Sequence, residues 1–125
     1  MVCMSSRAGN TWDGGGVTDN WNDAANWNPD GTPAYGTATF SGATRTSPIL
    51  NVNYNMNQLN WTGVSTWTLG SSGGSILSLF DNGGTQAKVE NNGTGVVTIN
   101  AAITFAANNG SPPNPFGEIN AVVFV

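Results

Sequence analysis

The sequence predicts an all-β chain of short strands joined by tight turns. Gly (17), Asn (18), Thr (14) and Ser (10) supply 59 of the 125 residues, so nearly half the chain is of turn-forming or short polar type. Apolar and polar residues alternate over several runs, which is the period of a strand with one buried face. Gly-centred turns fall at Gly63, Gly70–Gly74, Gly83, Gly93 and Gly110. A spacing near ten residues suits an antiparallel sandwich or barrel, and equally the coils of a β-solenoid. Good helix formers are scarce, with three Lys and Arg in total and Glu only at Glu90 and Glu118, which excludes a helical bundle or coiled coil. Hydrophobic content of 38%, with five Trp and five Phe, is enough for a core. No apolar run approaches the roughly 20 residues of a membrane helix.

Residues 1–10 read as a disordered tail. Residues 11–36 interleave Trp with Gly, Asn and Asp and form a Trp-rich N-terminal region. Within it Asp19–Trp27 is expected to hold one helical turn, with Thr18 or Asp19 as N-cap. Asn28-Pro29-Asp30-Gly31 is a turn signal. Residues 37–125 carry the strands. Ala38–Ser41 is a short one. In Ile49–Asn57, Leu50, Val52, Tyr54 and Met56 share one face and Asn51, Asn53, Asn55 and Asn57 the other, predicting one half-buried strand. The apolar phase then flips to Leu59 and Trp61, so a bulge or turn lies near Gln58. Trp67 and Leu69 continue the pattern. Further strands are expected at Ser75–Phe80, Gln86–Glu90, Val97–Phe105 and Ile119–Val125. The Asn-rich faces suit side-chain amides that hydrogen-bond along a ladder.

The end Ala121-Val122-Val123-Phe124-Val125 has no charge. As an exposed edge it would invite pairing with another chain. It reads as one coil of a longer solenoid cut mid-course, and self-association through Ile119–Val125 is the partner contact expected of it.

Net charge is −4 and the pI near 4.1. Arg7, Arg45 and Lys88 are scattered, so clustered cations for nucleic acid or an anionic membrane are missing. The chain has no His, which removes Ser-His-Asp and Cys-His catalysis. One Cys, Cys3, allows no intrachain disulfide. The opening ten residues lack the apolar core of a secretory signal, so a signal, if used, is expected upstream.

Trp12-Asp13-Gly14-Gly15-Gly16, Asn20-Trp21 and Ala24-Ala25-Asn26-Trp27 resemble the opening of bacterial autotransporter-like passenger proteins with autotransporter-associated β-strand repeats. Val89–Asn100, with its Asn-rich turn leading into Thr98-Ile99-Asn100, is similar to the core line of that repeat, and Ala38–Gly42 followed by Thr44-Arg45 is also similar. The resemblance covers residues 11–110 loosely, and its Trp opening is the most specific part. It implies a right-handed parallel β-helix, secreted or displayed on a bacterial surface, with Trp12, Trp21 and Trp27 capping one end. The antiparallel β-sandwich is the alternative fold.

Asp13, Asp19, Asp23 and Asp30 supply oxygen ligands of the kind Ca²⁺ takes. Neither the EF-hand order nor the calcium-binding nonapeptide is met, and turn or cap chemistry explains these residues equally. Asp13, Asp19 and Asp23 are the calcium candidates; no other cofactor is expected. Trp61 and Trp67 are candidates for stacking on a glycan, with core packing as the competing role. No pair of carboxylates nominates itself for glycoside hydrolysis; Glu90 and Asp81 on adjacent coils come nearest. The sequons at Asn60, Asn92 and Asn109 follow from an Asn- and Thr-rich composition.

The expected function is a non-catalytic structural or adhesive segment of a secreted or surface-displayed β-solenoid passenger, contacting a cell-surface glycan or protein. The alternatives are a carbohydrate-binding β-sandwich module and a fragment of a polysaccharide-active β-helix enzyme.

Overall fold

The strands stack in parallel, coil upon coil, as a β-solenoid of about four turns. The computed structural model describes residues 9–33, 35–80 and 85–106. The strands are β1 (Asn10–Trp12), β2 (Trp27–Asn28), β3 (Thr37–Phe40), β4 (Ile49–Leu50), β5 (Tyr54–Met56), β6 (Gln58–Trp61), β7 (Trp67–Ser71), β8 (Ile76–Phe80), β9 (Lys88–Asn91), β10 (Val97–Ile99) and β11 (Ala102–Ala106). They form three faces, with strand orders β2-β1-β3-β6-β9, β10-β7-β4 and β11-β8-β5. Every pairing between these strands is parallel except β1 with β2. The antiparallel sandwich is therefore excluded as the fold.

Period-2 patterning does in three dimensions what it predicts in one. On the first face Ala38, Leu59 and Val89 stack in register and point inward, as do Trp12, Phe40 and Trp61. Their neighbours Thr11, Thr39, Asn60 and Glu90 form the outward row. On the third face Tyr54, Leu77 and Ile103 align, as do Met56, Leu79 and Phe105. Leu59, Leu77 and Leu79 are fully buried. The coils are unequal: Leu59 lies 21 residues after its partner Ala38, and Val89 lies 30 after Leu59. Insertions are therefore absorbed at corners while the ladders stay in register.

Amide side chains also bond from coil to coil. Asn51 Nδ2 donates to Asn22 Oδ1 at 2.7 Å and Asn92 Nδ2 to Asn60 Oδ1 at 3.1 Å. Buried Asn57 donates to the carbonyls of Phe80 and Thr85, both at 2.9 Å, tying one corner to the next.

Three expected elements differ in detail. The single strand over Ile49–Asn57 is two strands, β4 and β5, on different faces, with a corner between them. Val97–Phe105 is likewise divided into β10 and β11 around Asn100-Ala101. Both corners preserve the inward–outward parity, so the pattern runs through them unbroken. The helical turn in Asp19–Trp27 is a 3-10 turn at Ala24–Asn26 whose N-cap is Asp23 rather than Thr18 or Asp19. The phase flip near Gln58 is the corner at Asn57. The expected tail is described only from Gly9, and Ile119–Val125 lies outside the described residues.

Candidate functional site

The tryptophans of the opening meet in the core. Trp12, Trp21 and Trp27 are buried. Trp27 packs edge-on against Trp12 at 5.1 Å and Trp21 at 4.9 Å between centroids. All three contact Phe40, which stacks nearly flat on Trp61 at 4.8 Å and 14° and meets Trp67 edge-on at 5.3 Å. One aromatic column thus runs from the first coil into the third. Trp12 Nε1 donates to the carbonyl of Arg45 and Trp27 Nε1 to that of Trp21. The indole N–H groups of Trp21, Trp61 and Trp67 are buried without a hydrogen-bond partner. Each such group costs about 1–3 kcal/mol. Burying up to about 250 Å² per ring at about 25 cal/mol/Å² outweighs that cost.

Trp61 and Trp67 are only 2% and 1% exposed. The glycan-stacking candidates are therefore corrected: their faces are taken by Phe40 and the core, and no sugar ring reaches them.

The acidic candidates are each used locally. Asp13 Oδ1 accepts the Gly15 N–H at 2.9 Å. Asp19 Oδ1 pairs with Arg45 Nη1 at 3.1 Å. Asp23 Oδ2 accepts the Thr18 hydroxyl at 2.9 Å and its N–H at 3.4 Å. The Thr18 hydroxyl bond holds the Asp23 carboxyl below the ordinary Asp value. Among the described residues no group of three or more His, Cys, Asp or Glu is placed to hold a metal ion. Asp13, Asp19 and Asp23 are thus turn and ion-pair residues here, not one calcium ligand set. Glu90 pairs with Lys88 at 2.7 Å, and the hydrogen bond from Lys88 lowers its pKa. Asp81, its expected companion, lies outside the described residues.

Asn26 organises the opening, a role that residue-type reasoning did not assign. It is fully buried. Its amide donates to the carbonyls of Thr18 (2.8 Å) and Asn20 (3.1 Å), and its Oδ1 accepts the Gly16 N–H (3.0 Å). Its carbonyl accepts the N–H groups of Asp13 and Gly14. One side chain therefore pins the loop 13–20 beneath the turn that carries Trp27. Its place in the Ala24-Ala25-Asn26-Trp27 phrase was the only signal available in the sequence.

A groove of about 240 Å³ is lined by Tyr35, Asn53, Tyr54 and Asn55. β5, the outermost strand of the third face, supplies Tyr54 and Asn55. The Tyr54 ring is anchored from behind by Trp21 at 5.7 Å. Tyr35 enters from the loop before β3, at φ 52°. Its ring leans on Phe80 at 5.7 Å while 48% of the residue stays exposed. Asn53 Oδ1 accepts the Ile76 N–H at 2.9 Å, which orients its amide. Nothing in the sequence paired Tyr35 with Tyr54, because only the coiling of the chain brings them to one place.

Protein-family models, curated proteins and solved structures yield no match to this chain.

Proposed function

We propose that the chain is a structural and adhesive segment, without catalysis of its own, of a secreted or surface-displayed β-solenoid passenger of the autotransporter type. The observation that supports this reading is the parallel stacking of successive coils on a continuous aromatic column. Such a body is quasi-one-dimensional. Each coil is stabilised by its neighbours and extends the surface available for contact. The outward rows carry short polar side chains such as Thr39, Asn60, Ser78 and Thr104. Some of them bond from coil to coil: the Ser78 and Thr104 hydroxyls lie 2.9 Å apart. Low charge also favours stacking, since like charges on successive coils repel. The resemblance of the Trp opening to such passengers supplies the setting, and the aromatic column supplies the rigidity.

The test is surface accessibility. An epitope-tagged full-length protein, in the cells that make it, is exposed to external protease before and after lysis. Loss of the tag on intact cells is expected. A tag protected until lysis rejects the surface reading.

A further inference from the structure

We infer that the groove formed by Tyr35, Asn53, Tyr54 and Asn55 binds a neutral saccharide. This deepens the adhesive reading and rests on it for its setting, but binding by the purified protein does not depend on where the cell places it.

The chemistry of the lining selects the ligand class. It consists of two phenols and two primary amides. Among the described residues no charged side chain lines the groove, so an ionic ligand would give up hydration there without a counter-charge. A purely aliphatic ligand would cover the amides without satisfying them. A sugar ring answers both demands. Its C–H face packs on a tyrosine ring, and its hydroxyls donate to and accept from amide and phenol groups. At about 240 Å³ the groove is smaller than the roughly 300–1,000 Å³ of sites that enclose a drug-sized ligand. It is open to solvent, so it suits one or two units of a longer polysaccharide passing across it.

The placement of the two rings differs in kind, and both are held. Tyr54 is fixed by its strand and by Trp21. Tyr35 is the exposed ring, and its left-handed backbone is a conformation that non-glycine residues adopt at a cost. Asn53 is oriented by the backbone of β8 through Ile76. Asn55 is exposed on the outward side of β5, in register with Ser78. The Asn53 amide and the two rings are thus positioned before a ligand arrives, which lowers the ordering cost of binding.

Native gels cast with laminarin, galactomannan or xyloglucan test this directly, with polygalacturonate as the anionic comparison. The acidic chain, of pI near 4.1, migrates in such gels without detergent. Retardation is expected in at least one neutral polysaccharide. Tyr35→Gly is the informative variant, because glycine adopts the φ of this position freely and the fold is retained. It should weaken binding about tenfold with the far-UV circular dichroism spectrum unchanged at the gel temperature. Asn55→Ala should also weaken binding, whereas Thr98→Ala, on a different face, should leave it unchanged. Retardation by no neutral polysaccharide, retardation by polygalacturonate alone, or equal retardation of Tyr35→Gly and the parent chain each overturns the proposal. Any of these results leaves the surface-accessibility test unaffected.

Discussion

Replacing Asn26 with alanine removes three side-chain hydrogen bonds at one fully buried position. Each bond is worth about 1 kcal/mol net, so Asn26→Ala should destabilise the chain by about 3 kcal/mol, rising toward 5 where the abandoned Gly16 N–H and the Thr18 and Asn20 carbonyls find no water. Asn26→Asp is the sharper variant. One carboxylate oxygen still accepts from Gly16, but the other faces two carbonyl oxygens where the amide donated. Asp23 adds repulsion, since a Cβ built on Gly16 would lie 2.5 Å from Asp23 Oδ2 and 2.7 Å from Asn26 Oδ1. At neutral pH Asn26→Asp should therefore be less stable than Asn26→Ala. The acceptors around it raise the new carboxyl above its unfolded value of about 3.9. Between that value and the raised folded one, the folded state binds more protons than the unfolded state. Stability must then increase as pH falls through this window. Urea unfolding followed by tryptophan fluorescence reads the effect, because all five indoles lie in the core. An Asn26→Ala loss below about 0.5 kcal/mol, or an Asn26→Asp variant whose deficit relative to the parent is the same at every pH, would refute the reasoning.

Two further outcomes are expected. Gly95→Ala places a Cβ on the carbonyl oxygen of Ser65 in the preceding coil; because that neighbour is backbone, relief requires the coils to separate, and a thermal melt should show a loss of about 1–3 kcal/mol. Thr18→Ala removes the hydroxyl bond that contributes most to lowering the Asp23 pKa. A carboxyl whose folded value is depressed contributes stability above its unfolded value and loses it as pH falls through the folded one. Carboxyl NMR titration of Thr18→Ala should show Asp23 moving up toward the ordinary Asp value.

Alternation of apolar and polar residues located most of the strands, since burial on one face is a local property of a two-residue period. Leu50 and Met56 are buried where the pattern places them. The same period could not locate the corner between Leu50 and Tyr54. A chain that changes face after an intervening stretch that keeps the parity shows the same inward set as one that runs straight. The phase change at Asn57 was visible because that corner breaks the parity. The local uses of Asp13 and Asp23 were equally legible as turn chemistry, since their partners lie two and five residues away.

What the sequence by itself determined is the all-β class, the main strand segments and the burial demand of the tryptophans, all set by side-chain type and short-range spacing. Strand spacing alone left parallel and antiparallel pairing open; the resemblance implied the parallel arrangement, and the tertiary structure has it, with partners 21 to 30 residues apart on the first face beyond β3. The tertiary structure also decided that Trp61 and Trp67 face inward onto Phe40, while Tyr35 and Tyr54 line one groove. An aromatic residue carries the same drive toward burial wherever it sits. Whether it fills the core or lines a groove depends on which coil lies above it, and that is a property of the stack rather than of any local run of residues.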